Sequence, residues 1–127
     1  MNGPSGVEAQ LESQAVIWRR VPPAWIVNDE NLGRRRPTSA AFDDHRDGTS
    51  MSMYIAGAGN TVDDVMKGHD GYALASVTFD QLSRKNLRVI HDPLPGFPSH
   101  VEVVGRKTKR IKSDLAKEAA WVVLPPQ

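Results

Sequence analysis

Three prolines within the ten residues His91-Asp92-Pro93-Leu94-Pro95-Gly96-Phe97-Pro98-Ser99-His100 constrain this chain more than any other feature. Proline fixes φ, removes a backbone donor and pushes the residue before it to extended geometry, so this segment is a stiff loop. It joins two apolar runs, Leu87 to Ile90 and Val101 to Val104, and carries a histidine at each end. An earlier segment, Arg34-Arg35-Arg36-Pro37-Thr38-Ser39-Ala40-Ala41-Phe42, sets guanidinium and hydroxyl groups just before another apolar stretch. Functional groups favour loops on a rigid scaffold. Arg36, Thr38, Ser39, Asp92 and His100 are therefore expected to meet across a sheet and share a polar site.

A chain of 127 residues has room for one core and one domain. Residues 1–13, with Gly3, Pro4, Ser5 and Gly6 and little apolar content, read as a flexible N-terminal tail, and 14–127 as a single domain. The chain has no cysteine, which excludes disulfides, thiol catalysis and thiolate metal sites. No run approaches the roughly 20 apolar residues of a membrane span. Met1 to Gln14 is polar where a signal peptide needs an apolar core, so no membrane association and a cytoplasmic location are expected.

Val16 to Val21 reads as a strand stopped by Pro22-Pro23, Ala24 to Val27 as a short extended piece, and Asn28 to Arg36 as a polar loop. Ser50 to Ile55 alternates with period two, which turns Met51, Met53 and Ile55 inward. Thr61 caps a short helix running to about Gly68, with Asp63 and Asp64 at its positive end. Tyr72 to Phe79 reads as a strand, Asp80 as the cap of a helix to Asn86, and Leu87 to Ile90 as the next strand. About seven residues are too few for a parallel crossover, so these two strands are antiparallel or separated in the sheet. Val101 to Val104 is a further strand, and Ser113 caps a last helix ending before Pro125-Pro126. The expected fold is α+β: a mixed or mainly antiparallel sheet of about five strands with two or three short helices.

On Arg19-Arg20-Val21-Pro22, Arg36 through Phe42, Asp47-Gly48 with Ser50-Met51-Ser52, and Asp92-Pro93 through Pro98 to His100 with Gly105, the chain resembles a family of short uncharacterised bacterial proteins. The likeness spans most of residues 18–105. It implies where a site lies and names no chemistry for it.

Four histidines, His45, His69, His91 and His100, are candidates for metal binding, but no His-x-x-x-His pair is present and both His-Asp dipeptides fall at loop or strand ends. They are expected to be solvent-exposed or hydrogen-bonded loop residues, with no metal or other cofactor. Gly57-Ala58-Gly59 copies part of a dinucleotide fingerprint, yet Val62 stands at its third glycine position, so a turn is expected. Ser39, His100 and Asp92 supply the groups of a hydrolytic triad without a nucleophile elbow. Arg19 or Arg20 on the first strand, Thr38 and Ser39, and His100 bear an analogy to small ADP-ribosyltransferases, which combine an early-strand Arg or His with a later Ser or Thr. Their late catalytic glutamate has one candidate here, Glu102.

The net charge of +1 gives the whole molecule no strong pull toward nucleic acid. Arg34, Arg35, Arg106, Lys107, Lys109 and Arg110 are nevertheless candidate phosphate contacts. The leading expectation is an accessory protein that binds a protein partner. A small enzyme or nucleotide-binding domain using Arg36, Thr38, Ser39 and His100 is the alternative, and nucleic-acid binding through the basic segments a further one.

Overall fold

A computed structural model describes residues 6–46, 48 and 50–126. Asp47, one of the residues that carry the family likeness, lies outside these. The chain forms a small α+β domain with a six-stranded antiparallel sheet, a separate two-stranded ribbon and three helices. The strands are β1 (Val16–Val21), β2 (Ile26–Asp29), β3 (Arg34–Pro37), β4 (Ser50–Ile55), β5 (Ala73–Thr78), β6 (Arg88–His91), β7 (His100–Val104) and β8 (Ala120–Val123). The helices are α1 (Val62–Met66), α2 (Phe79–Ser83) and α3 (Lys109–Glu118). The order in the large sheet is β6-β7-β4-β1-β5-β8, which places three strands between β5 and β6. No described helix is long and apolar enough to cross a membrane.

Alternation along the strands divides the sheet into two unlike faces. Ile17 and Val21 of β1, Met51, Met53 and Ile55 of β4, Ala73, Ala75 and Val77 of β5, Val89 of β6, and Val101 and Val103 of β7 form the main core. Leu82 of α2, Leu115 and Ala116 of α3, and Ala41 and Phe42 of the 3-10 turn Ser39–Phe42 close over it. On the opposite face Trp18, Tyr54 and Leu74 pack under Val65 of α1 as a smaller apolar group. Beside that group the same face becomes polar, at β4 and β7.

Four local departures from the sequence expectation have physical causes. Asn28 to Arg36 is not a loop but the end of β2, a tight turn at residues 30–33 and the start of β3. The Asp29 side chain accepts from the N–H groups of Asn31 and Leu32, and Gly33 takes a φ of 69°. Thr78 rather than Asp80 caps α2, forming a reciprocal capping box with Gln81. Thr108 rather than Ser113 caps α3, and Ala120–Val123, where a helix was expected, is the edge strand β8, because Trp121 packs beside the core and Val123 on the smaller group.

Of the segment expected as a tail, residues 1–5 lie outside the described residues, while the remainder is docked. From Val7 onward it lies along the free edge of β6: the Ala9 N–H donates to Val89 O and the His91 N–H to Val7 O, both at 2.8 Å. Ala9 is buried, Leu11 packs against the core, and Gly6 approaches the His91 carbonyl so closely that a Cβ would collide with it. Covering an unpaired strand edge is a sufficient physical reason for this docking.

A polar cluster on the β4–β7 face

β4 and β7 pair so that Ser52 faces Glu102 and Tyr54 faces His100, and the pair Trp18–Tyr54 extends the row to β1. Arg20, two residues beyond Trp18, shares this face. Glu102 is the centre of the cluster. Its Oε1 accepts from the Ser50 hydroxyl at 2.6 Å and lies 3.0 Å from His45 Nε2, and its Oε2 lies 2.8 Å from the Ser52 hydroxyl and 3.3 Å from His100 Nε2. A buried carboxylate needs such partners, since an unpaired one would be costly.

The proton positions follow from what each partner can do. Asp92 O is a carbonyl and only accepts, so His100 Nδ1, 2.8 Å away, donates to it. The Asp92 carboxylate lies 3.3 Å from the same nitrogen. With Nδ1 protonated, Nε2 is available to accept from the Ser52 hydroxyl at 3.0 Å. That hydroxyl has one proton and two acceptors, His100 Nε2 and Glu102 Oε2, so the proton can pass between imidazole and carboxylate through Ser52.

Two pieces of scaffold hold this arrangement. The first is the turn between β6 and β7. Pro95-Gly96, with Gly96 at φ 79°, supplies what a type II turn requires, and Leu94 and Phe97 exchange backbone hydrogen bonds across it. Asn60 then fastens the loop, accepting from the Ser99 hydroxyl at 2.7 Å and donating to Gly96 O at 3.1 Å. The second is Arg19. β1 and β4 pair only at Ile17–Ile55 and Trp18–Tyr54, and beyond them the Arg19 guanidinium donates to Ser52 O, Ala41 O and Asp43 O. Burial pushes the Arg19 guanidinium down, opposed by the carboxylates of Glu102, Asp43 and Asp44, and it remains a cation.

Arg20 stands at the other end of the row. It donates to Val65 O, His69 Nε2 and the Tyr54 hydroxyl oxygen, and stacks 4.8 Å from the Tyr54 ring centroid. Burial pushes the Tyr54 phenol up, so it stays neutral. The Tyr54 ring in turn meets His100 edge-on at 5.3 Å.

Of the residues expected to form a site, Asp92 and His100 come together here. Arg36, Thr38 and Ser39 lie elsewhere, and Thr38 Oγ1 is buried with no hydrogen-bond partner among the described residues. Arg36 is paired with Asp29 at 2.6 Å inside the β2–β3 ribbon, and Thr38 and Ser39 begin the 3-10 turn. That turn meets the cluster only indirectly, through Arg19, which bonds both Ala41 O and Ser52 O. Ser50, Ser52, His45 and Glu102 were not foreseen as one group. The alternation Ser50-Met51-Ser52-Met53 was the available signal, since turning the methionines inward turns both serines to the opposite face.

The basic candidates divide as well. Arg34 donates to Lys117 O, Arg35 to the carbonyls of Pro125 and Pro126, and Lys107 is buried in an ion pair with Asp44. Arg106, Lys109 and Arg110 are exposed, with Arg110 3.7 Å from Asp114. Asp92, His100 and Glu102 could each offer a ligand atom to a cation within 4.8 Å of one another. However, Asp92 approaches Nδ1 and Glu102 approaches Nε2, so the two carboxylates address opposite nitrogens of the ring rather than a common point. No family model, no curated protein and no solved structure matches the chain.

Proposed function

We propose that the chain is a small enzyme that cleaves the nicotinamide–ribose bond of a dinucleotide such as NAD, with Glu102 as its central carboxylate. The supporting observation is the placement of Arg20 on β1, Ser52 on β4 and Glu102 on β7, three neighbouring strands, with both serine hydroxyls turned to the carboxylate. This follows the ADP-ribosyltransferase analogy of early arginine, later serine and late glutamate, with Ser52 rather than Thr38 or Ser39 as the serine. Cleavage of an N-glycosidic bond builds positive charge on the ribose, and a fixed carboxylate stabilises that charge where it develops. The C1′–N bond breaks with its electron pair leaving on neutral nicotinamide. Water bonds to C1′ and gives up its proton to Glu102 or to the Ser52–His100 pair.

Release of nicotinamide from NAD, followed by chromatography, tests this reading. Glu102→Gln keeps the size of the side chain and removes its charge, and should lower the rate by about 10² or more. Wild-type protein that neither binds NAD by calorimetry nor releases nicotinamide overturns the reading.

A second reading, the accessory protein with a protein partner, is favoured by Val122 and Leu124. These are exposed apolar side chains, on and just beyond the edge strand β8. Its test is whether Val122→Lys with Leu124→Lys abolishes a partner that wild-type protein retains in a pull-down.

A further inference from the structure

Both oxygens of the Glu102 carboxylate already hold partners, so a substrate hydroxyl reaches it only by taking a partner's place. Ser50 and His100 are 6% and 3% exposed and fixed on strands, and Ser52 is on the strand directly opposite. His45 differs. Its side chain is 47% exposed, and among the described residues its imidazole hydrogen-bonds to Glu102 Oε1 at 3.0 Å and Ser52 Oγ at 3.1 Å.

The backbone under His45 is secured independently of that ring. Its N–H donates to Ser50 O, and the preceding Asp43 and Asp44 pair with Lys112 and Lys107. The ring can therefore turn out to water with these contacts kept, and a side chain already half in water gives up little by doing so. Leaving, it frees two neighbouring hydrogen-bonding oxygens, Glu102 Oε1 and Ser52 Oγ. A vicinal diol presents two hydroxyls to such a pair.

We propose that His45 is a displaceable plug on Glu102, and that the vicinal diol of a ribose takes its place on the carboxylate and on Ser52. The diol rests on the ribosyl reading above, whereas the plug stands on geometry that needs no reaction. His45 is thus a positioning residue: it keeps the carboxylate paired until a ligand supplies hydroxyls.

Carbodiimide coupling of carboxylates to an amine, with Glu102 modification quantified by peptide mass spectrometry and exposed Glu8 as internal reference, tests the plug without turnover. His45→Ala should raise the Glu102 rate about tenfold over wild type, the scale of losing one hydrogen bond to a charged group. His45→Gln, whose amide restores an N–H donor, should return it toward the wild-type rate and also covers the case of an unfolded alanine variant. ADP-ribose added to His45→Ala should slow modification again. Equal Glu102 rates in wild type, His45→Ala and His45→Gln overturn the plug, and absence of protection by ADP-ribose overturns the diol as its replacement. Failure to release nicotinamide bears only on the proposed reaction.

Discussion

Ser52 and Glu102 stand directly opposite one another on β4 and β7, with the serine hydroxyl 2.8 Å from the carboxylate. Ser50 reaches the other oxygen of the same group at 2.6 Å but is buried, whereas Ser52 is partly open to solvent. The two hydroxyls therefore divide structural support from function.

Ser50→Ala should destabilise the fold by about 1 to 3 kcal/mol in urea denaturation, because it leaves a buried carboxylate oxygen short of a donor. Ser52→Ala should cost less stability, since water can reach its place. It should also lower nicotinamide release at least tenfold by breaking the proton path between His100 and Glu102. Equal effects of the two variants on both measurements would contradict the division.

Arg19 donates to three backbone carbonyls, on β4, in the 3-10 turn and just after it, at the point where β1 and β4 part. Arg19→Met is of similar length and leaves all three without their donor, at a cost of about 3 to 5 kcal/mol. Arg19→Lys keeps the charge but lacks the planar fork, so it should recover only part of that loss. A methionine variant as stable as wild type in chemical denaturation would show that the guanidinium does not join these elements.

Acid should remove two local supports. The Arg36 side chain and the N–H groups of Leu32 and Asn31 hold the Asp29 carboxyl below its ordinary range, and hydrogen bonds from Thr61 and Asn60 do the same for Asp64 at the start of α1. A carboxyl depressed in the folded state adds stability that is complete above its unfolded value of about 3.9 and is lost as pH falls through the folded value. Stability should therefore fall below about pH 4, and Asp29→Asn with Asp64→Asn should flatten that fall in a pH series of thermal melts. An unchanged acid limb in the double variant would place the loss elsewhere.

The strands of this fold were legible wherever alternation or β-branched runs mark them, as in Ser50 to Ile55 and Val101 to Val104. Of the β2–β3 ribbon only the Ile26-Val27 half of β2 was, because β3 is polar and Arg34 to Arg36 are held by Asp29 and by carbonyls distant in sequence. His100 was visible through the prolines around it. Its partners were not, since Ser52 comes opposite Glu102 through a register set 50 residues apart in the chain. The alternation around Ser52 marks its face of a strand but not its partner across the sheet. What separates Ser52 from Ser39 is that one lies on a strand beside β7 and the other starts a turn beneath the core.

The N-terminal segment yields the sharpest contrast between composition and structure. Few apolar residues precede Ala15, yet Ala9 is 1% exposed and its N–H is bound to Val89 O, while Ser13 O accepts from Asp80 at the start of α2. Removal of residues 1–13 strips the β6 edge of its covering and uncovers core side chains that Ala9 and Leu11 shield. Lost burial and lost pairing together should exceed about 1 kcal/mol, lowering the melting temperature by more than about 4 °C in a domain of this size. The freed edge should also favour association, visible as a concentration-dependent mass in light scattering. A monomeric truncation that melts with the full chain would show that these contacts add nothing. Slow hydrogen exchange at the Ala9 amide in the intact protein would show the reverse.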